Sequence, residues 1–410
     1  MNQRVVITGA GVISPVGIGA EAFFQSLTEG VCGIGPITRF DTEGYKVKVA
    51  GEVKGFDAEA AGIDRASSRR MDLFAQYALA AAIQAVTDSG IEGTVAPERL
   101  GVYVGSGIGG MQTFVQETEK LLNRGPGRVS PFFVPMMIGN MAAGNIAIRF
   151  NAQGPCLPVV TACATSSHAI GEAFRCVKYG HADAVIAGGA EATIIPLAVA
   201  GFSNMKALSE SEDPNAASLP FDSRRSGFVM GEGSGILVLE EYEHAKARGA
   251  KVYAEVVGYG NTCDAYHITA PQAEGIGAAN AFRLALEEAG YAGEKLYINA
   301  HGTGTPMNDK VETLAIKKAL GEEAARAALI SSTKSMTGHM LGAAGGVEAV
   351  ACAMALKNGV VPPTIHLDSP DPECDLNYVP HTAVRADIEL ALSSSLGFGG
   401  HNAVLAMKRV

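Results

Sequence analysis

The segment PVVTACATSSHAIGEA at 158–173 decides the fold, because its pattern returns at 328–344 as ALISSTKSMTGHMLGAA. Each copy has an apolar run of strand length, a polar turn, and then His-x-(Ile/Leu)-Gly-x-Ala, which begins at His168 in the first copy and at His339 in the second. A strand followed by a turn and a helix is the building unit of α/β proteins. The two copies therefore predict an internal duplication.

Two further pairs of segments repeat in the same order. The segment 103–109, where Tyr-Val runs into a series of glycines, resembles the segment 297–304, where Tyr-Ile runs into NAHGTG. GFVMGEGSGILVLE at 227–240 resembles SLGFGGHNAVLAMK at 395–408. Three pairs in one order favour gene duplication over coincidence.

The duplication divides the chain into a first half of about residues 1–250 and a second half of about residues 251–410. A helical insertion near 111–145 occurs in the first half only. No Pro- or Ser-rich linker separates the halves, so we expect them to share one core. Strand-like runs near residues 5, 103, 160 (VVTA), 185 and 236 alternate with helical stretches, which predicts an α/β fold with parallel strands.

Composition excludes several classes of protein. A formal net charge of −10 argues against nucleic-acid binding by the whole surface. No run reaches the roughly 18 apolar residues that a membrane span needs, so we expect no membrane association and a cytoplasmic location. The seven cysteines are scattered and form no C-x-x-C pair, which indicates neither a disulfide framework nor a zinc site. We expect no cofactor and no bound metal.

Cys163 is the candidate nucleophile. It follows the apolar run PVVTA and precedes a segment with helical spacing that ends at Gly180. The positive end of a helix dipole favours a thiolate, so this placement predicts a cysteine pKa below the ordinary value of about 8.5. A thiolate is the form that attacks a thioester.

His301, Lys334 and His339 are candidate partners of this thiol. His301 lies in the turn-rich loop INAHGTGTPMND, and the other two lie in the repeat equivalent of the cysteine turn. Pseudo-symmetry would bring the two turns face to face. Neutral imidazole N–H groups suit a developing enolate oxygen, and a lysine charge would keep them neutral. The glycines around Phe398 suit a backbone N–H that approaches a reacting oxygen, or a plain hairpin turn.

At this point the chain resembles a known family. TACATSSHAIGEA, AHGTGTPMND, SSTKSMTGHMLGAAGGVEA and SLGFGGHNA are similar to the signature segments of the elongating β-ketoacyl-[acyl-carrier-protein] synthases of type II. The likeness runs from VVITGAGVISPVG to the last strand. It implies a thiolase fold, layered α-β-α-β-α, with two pseudo-twofold related halves, and a homodimer in which the partner supplies part of each acyl pocket.

The resemblance also implies roles. Cys163 carries the acyl group, His301 and His339 promote decarboxylation of malonyl-carrier protein, and Lys334 organises their electrostatics. The backbone N–H groups of Cys163 and Phe398 form the oxyanion hole, and Phe398 gates the acyl pocket. The product is a β-ketoacyl chain two carbons longer, as in fatty acid biosynthesis.

Further positions follow from the same resemblance. The acyl pocket is expected at Ile108, Phe202 and Phe398, and the malonyl loop at Thr303, Thr305, Gly399 and Gly400. Because carrier proteins of this kind are acidic, docking of the acyl carrier protein needs a basic patch. The expected docking residues are Arg65, Arg69, Arg70, Arg124, Arg128 and Lys206.

Three other classes of protein share parts of this pattern. GAGVIS after the strand VVIT resembles the start of a dinucleotide-binding motif, but Ser14 replaces the third glycine and Pro15 follows, which disfavours a nicotinamide-dependent oxidoreductase. The presence of Cys163 disfavours a non-catalytic partner subunit of polyketide systems. A ketosynthase that builds polyketides stays open, because pocket shape decides it.

Overall fold

The computed structural model describes residues 2–410. The strands are β1 Val5–Ser14, β2 Gly17–Ile18, β3 Gly35–Pro36, β4 Val49–Ala50, β5 Leu100–Gly105, β6 Ala184–Glu191, β7 Gly233–Glu241, β8 Ala254–Cys263, β9 Leu296–Asn299, β10 Leu329–Ser331, β11 Val360–Val361, β12 Val384–Arg385, β13 Leu390–Gly397 and β14 His401–Lys408.

The helices are α1 Ala20–Thr28, α2 Arg65–Ser68, α3 Leu73–Ser89, α4 Met111–Arg124, α5 Phe133–Met137, α6 Met141–Phe150, α7 Thr165–Lys178, α8 Pro196–Asn204, α9 Tyr242–Ala247, α10 Ile276–Ala289, α11 Asn308–Leu320, α12 Glu322–Ala327, α13 Lys334–Thr337 and α14 Ala344–Asn358. Within residues 2–410, no helix combines the length and the apolar character that crossing a bilayer requires.

The large sheet consists of two halves with the same strand order, except that β10 at one edge has no counterpart strand at the other. Its order is β10-β9-β13-β14-β8-β1-β7-β6-β5, with β2 paired to β1. The centre is the antiparallel β1–β8 pair, and β7, β6 and β5 on one side correspond to β14, β13 and β9 on the other. The duplication therefore places its pseudo-twofold axis between β1 and β8.

A shared irregularity supports this relationship. Val6 of β1 pairs with Glu255 of β8 at the axis. Thr8 is skipped in the pairing of β1 with β7, and Val257 is skipped in the pairing of β8 with β14. Both skipped residues lie two positions after an axial residue, so the two halves keep the same β-bulge. Such bulges act as specified features of a fold.

Helices cover and separate the two halves of the sheet. Helix α3 packs on β1, β6 and β7, and α10 packs on β8 and β14, while α7 and α14 both lie between the halves and contact each of them. The layers are therefore α-β-α-β-α, as expected from the resemblance. Central burial demands small residues: a Cβ at Gly171 of α7 would lie 2.3 Å from the ring of Tyr259.

Two expectations about the sheet and one about the alignment of the repeat were wrong. Strand β7 runs antiparallel to both β1 and β6, so the sheet is mixed. The run VVTA at 159–162 forms no strand. Its neighbourhood contributes one parallel bridge, Cys156 to Val102, because Pro155 and Pro158 lack N–H donors and the segment lies at the free edge.

The third error concerns the register of the first repeat. Ala162 and Leu341 share an unusual left-handed conformation, with φ of 51° and 47°, and each starts a short 3-10 turn before a central helix. Cys163 therefore corresponds to Gly342. His168 corresponds to a position inside α14, eight residues away from His339 (an offset of 179 rather than 171).

Candidate active site

Cys163 lies in a tight turn between the sheet edge and helix α7. The 3-10 turn Ala162–Ala164 leads directly into the helix at Thr165. The Thr161 N–H donates to Thr165 Oγ1 at 2.9 Å, which closes the turn. Cys163 is 8% exposed. The thiol is therefore presented at a helix amino terminus, as the sequence predicts.

The environment of this thiol differs from the expectation. Burial raises the pKa of Cys163 to about 12, while the positive charge of Lys334 and a backbone N–H from Phe398 oppose that rise. Desolvation disfavours the charged form of a buried thiol. The prediction of a lowered pKa was wrong, and the resting group is a thiol.

His301 is held by a buried carboxylate. The backbone N–H of His301 donates to Glu312 Oε1 at 2.7 Å, and the backbone N–H of Gly302 donates to Glu312 Oε2 at 2.8 Å. Ser394 Oγ donates to the same carboxylate at 2.7 Å. Because Glu312 sits on α11, this helix fixes the loop that follows β9. Glu312 is a residue that the sequence reasoning missed.

His339 completes a cluster with the thiol. The backbone N–H of His339 donates to the Val229 carbonyl at 2.7 Å. The rings of His301 and His339 are perpendicular, at 89°, with centroids 5.2 Å apart. One nitrogen from each ring and the Cys163 sulfur all lie within 4.8 Å of one another. Nδ1 of His301 and both ring nitrogens of His339 are buried without a hydrogen-bond partner.

Lys334 lies beneath this cluster, paired with Glu348. Both side chains are 1% exposed. Burial, and secondarily the Lys334 charge, lower the pKa of both histidines well below its ordinary value. The imidazoles are therefore neutral, and each carries one N–H that can donate to a substrate oxygen. A neutral pair of donors beside a thiol suits chemistry at a thioester carbonyl.

A cavity of about 340 Å³ opens onto the cluster. Cys163, His301, His339 and other predicted residues line it together: Thr303, Thr305, Lys206, Phe398 and Gly400. Gly399 lies in the same loop, and its N–H donates to the Ile268 carbonyl at 2.8 Å. Gly399 and Gly400 have φ of 85° and 77°, which glycine adopts at little cost.

Two residues predicted for the acyl pocket lie outside this lining. The Phe202 ring is 6.5 Å from that of Phe398 and 5.6 Å from that of Phe228, so it stands behind the loop. Ile108 is 38% exposed in this single chain and does not line the cavity.

Glu191 is a second buried carboxylate that the sequence reasoning missed. It accepts hydrogen bonds from Ser106 Oγ at 3.0 Å and from the N–H groups of Gly107, Ile108 and Gly342 at 2.9, 3.3 and 3.0 Å. Burial raises its pKa to about 7. It ties the Ile108 loop to the second-half turn. An acidic residue at the end of the apolar run AVIAGGAE was the available signal.

The basic residues predicted for docking are all exposed: Arg65, Arg69, Arg70, Arg124, Arg128 and Lys206. Lys206 lies at the cavity itself. The guanidinium of Arg70 stacks 4.9 Å from the ring centre of Phe132, which links the α2 region to the segment between α4 and α5. The structure thus brings one member to the cavity and leaves the others on the outer surface.

The chain is similar to known proteins over its whole length. Descriptions of the β-ketoacyl synthase N-terminal and C-terminal domains match residues 2–245 and 253–368. The 3-oxoacyl-[acyl-carrier-protein] synthase 2 of Staphylococcus aureus is 53% identical over 410 residues, covering 100% of this chain and 99% of that protein. The protein of the same name from Synechocystis is 53% identical over 411 residues, covering 100% and 98%.

Solved structures agree over the full length. The ishigamide ketosynthase/chain length factor superposes with a TM-score of 0.93 at 38% identity, and a β-ketoacyl synthase from Burkholderia phymatum with 0.92 at 35% identity. Both matches cover 100% of each chain. The duplicated thiolase fold that the resemblance implied is thereby confirmed.

Proposed function

Because the chain belongs to the β-ketoacyl synthase family, we propose that it elongates acyl chains on acyl carrier protein by decarboxylative condensation, with Cys163 as the acyl-carrying nucleophile. The observation that carries this proposal is the buried cluster of one thiol and two neutral imidazoles at the end of an accessible cavity. The proposed activity is that of a 3-oxoacyl-[acyl-carrier-protein] synthase of type II in fatty acid biosynthesis.

The first half-reaction loads the enzyme. The Cys163 sulfur attacks the thioester carbonyl of acyl-carrier protein, and the carrier thiol leaves with the proton that the cysteine loses. The backbone N–H groups of Cys163 and Phe398 point toward the sulfur, where they can donate to the oxyanion that forms.

The second half-reaction forms the carbon–carbon bond. Malonyl-carrier protein enters with its thioester oxygen facing the two histidines. Their N–H groups donate to that oxygen as carbon dioxide leaves and the enolate develops. The enolate carbon attacks the acyl thioester, and the Cys163 sulfur leaves. Thr303 and Thr305, whose hydroxyls are 3.1 Å apart, line the approach of the malonyl group.

The Phe398 loop is proposed to gate the acyl pocket. Phe398 faces Phe202 and is followed by two glycines with positive φ, so ring movement needs no change in the strands on either side. Behind it lies an apolar cluster that includes Cys163, Ile195, Val199 and Leu341. An acyl chain that follows this cluster reaches the loop of Ile108.

We propose a homodimer that closes this pocket. Nine large apolar side chains within residues 108–160 are exposed: Ile108, Phe114, Leu121, Leu122, Phe132, Val134, Ile148, Leu157 and Val160. They adjoin β5 and the segment 154–157 that is hydrogen-bonded to it at the side of the sheet, and exposed apolar surface at a sheet edge is typical of an interface. Val160→Lys should give a monomer by light scattering, whereas Leu284→Lys on α10 should leave the dimer intact. A dimer in both variants would contradict the assignment.

Docking of the acidic carrier protein is proposed at the basic patch that ends at Lys206. The double charge reversal Arg69→Glu/Arg128→Glu should raise the apparent KM for carrier-linked substrate and leave turnover of small thioesters unchanged. Arg385→Glu is a matched control, because β12 lies beyond the carboxyl end of α14, whose other end adjoins the active site. Equal KM values for all three proteins would refute the patch.

Intact-mass analysis with peptide mapping tests the function itself. The protein is mixed with an acyl-carrier protein, mapped, and then given malonyl-carrier protein. The expected result is an acyl adduct on Cys163 that malonyl-carrier protein converts to a 3-oxoacyl product. Absence of an adduct with any donor would refute the proposal. Use of repeated malonyl units without intervening reduction would favour the polyketide alternative.

Two organisational expectations belong to the same proposal. The halves are proposed to divide near residue 250, between β7 and β8, with the insertion near 111–145 forming α4, α5 and the start of α6. The enzyme is proposed to act in the cytoplasm, where soluble acyl carrier protein would be available.

A further inference from the structure

The catalytic cluster has the composition of a metal site. One sulfur and two imidazole nitrogens lie within 4.8 Å of one another, and all three residues are buried. Three ring nitrogens of these histidines have no hydrogen-bond partner. Buried polar atoms without partners are uncommon and call for an explanation. Substrate oxygens can meet them during turnover, and their burial without a protein partner leaves their lone pairs and N–H groups directed at the cavity.

The donor set selects one class of ligand. Zn²⁺ binds Cys sulfur at about 2.3 Å and His nitrogen at about 2.0–2.1 Å, usually in a tetrahedron with an open fourth position in reactive sites. Ligand atoms around such an ion lie roughly 3.3–3.6 Å apart, so the three side chains would need to close by about 1 Å. Mg²⁺ and Ca²⁺ prefer oxygen ligands and do not suit this set.

Charge and access permit a cation here. The Lys334 ammonium is neutralised by Glu348, and the carboxylates of Glu312 and Glu191 lie nearby without a lysine or arginine partner of their own. The cavity of about 340 Å³ reaches all three donors. A hydrated ion can therefore arrive by the route proposed for the malonyl group.

We propose that Cys163, His301 and His339 form a reversible inhibitory site for Zn²⁺ in the unacylated enzyme. The Cys163 sulfur loses its proton to solvent and bonds the ion, the two imidazoles donate their free nitrogen lone pairs, and water fills the fourth position. Acylation removes the site, because a thioester sulfur is a poor ligand. This inference rests on the proposed role of Cys163 only for the protective effect of acylation.

Binding is measured on the metal-free full-length protein with Co²⁺, which reports thiolate ligation by a near-ultraviolet charge-transfer band, followed by displacement with Zn²⁺. We expect one ion per chain, with no response to Mg²⁺. Cys163→Ser and His339→Asn should each weaken binding by more than about 100-fold, beyond the 10–100-fold that loss of an outer partner costs. Cys156→Ser/Cys263→Ser removes the two exposed thiols and should leave binding unchanged.

The outcomes separate the two claims. A missing thiolate band, or equal affinity in Cys163→Ser, would overturn the metal site. An acyl adduct on Cys163 with no metal binding would leave the proposed function standing and refute this inference alone. Metal binding without any acyl adduct would leave the metal site standing and refute the proposed function. In the active enzyme, Zn²⁺ should inhibit condensation, chelator should restore it, and prior acylation should prevent it.

Discussion

Removal of the Lys334 charge should destabilise the protein in a pH-dependent way. Lys334 and Glu348 form a pair in which both side chains are 1% exposed. Breaking a buried pair by removing one partner commonly costs about 3–5 kcal/mol, because the other charge is left without compensation. In Lys334→Met, the orphaned Glu348 would escape that cost by taking up a proton. The variant therefore links stability to pH.

The magnitude follows from the carboxyl group. Its ordinary pKa is 4.5, and keeping it protonated at pH 7 costs about 3.4 kcal/mol, at 1.36 kcal/mol for each of the 2.5 units. A folded-state pKa above the unfolded value gives stability that is present at low pH and lost as pH rises. Burial already raises the pKa of Glu348 in the parent protein, so relative to the parent Lys334→Met should lose at most about 3 kcal/mol at pH 7 and recover at most about 1.4 kcal/mol for each unit toward pH 5.

Urea unfolding at pH 7, 6 and 5, at one protein concentration, measures this dependence. The double variant Lys334→Met/Glu348→Gln leaves no orphaned charge, so it should be more stable at pH 7 than Lys334→Met and should lose the pH dependence. A single variant that is destabilised equally at all three pH values would refute the reasoning and indicate a packing defect instead.

Three further predictions concern the active site. The acid limb of the malonyl decarboxylation profile should move to higher pH in Lys334→Met, because the Lys334 charge helps to lower the pKa of both histidines; an unmoved limb would contradict that electrostatic role. Cys163→Ala should abolish condensation yet retain release of carbon dioxide from malonyl-carrier protein, since the histidines remain; loss of both would show that they depend on the thiol. Gly342→Ala should cost about 1–3 kcal/mol in unfolding experiments, because its Cβ would lie 2.3 Å from the Gly107 nitrogen, whereas Gly35→Ala meets no atom within 4 Å and should be nearly neutral.

Sequence reasoning located the chemical groups of the site. The positions of Cys163, His301, Lys334 and His339 all follow apolar runs at turns, and the expectation that two such turns face each other requires only that the halves be related by a twofold axis. The structure brings ligand atoms of Cys163, His301 and His339 within 4.8 Å of one another, and the Lys334 charge acts on both histidines. Local pattern selected these residues as candidates, and the resemblance to a known family assigned their roles.

The register of the repeat and the state of the thiol were beyond the sequence. The shared letters around His168 and His339 suggested one alignment, but the backbone conformations of Ala162 and Leu341 fix another. The backbone conformation at these two positions depends on packing against the opposite half, which the sequence alone does not show. The pKa of Cys163 likewise depends on burial and on charged groups from both halves, which the local sequence around the cysteine does not show. Glu191 and Glu312 were missed because their partners are mostly backbone N–H groups, which leave no signature in the sequence.

The corrected register explains why a duplicated chain has one active site. Cys163 in the first half corresponds to Gly342 in the second, and the pairings of β5 and β9 make Gly105 the counterpart of His301. A Cβ at Gly342 would lie 2.3 Å from a backbone nitrogen, and a Cβ at Gly105 would lie 2.0 Å from the Val159 carbonyl. No side chain fits at either counterpart. Each half therefore supplies what the other cannot hold, the first half the proposed nucleophile and the second half the proposed donors to the enolate. We expect that separating the halves would leave neither with a working site.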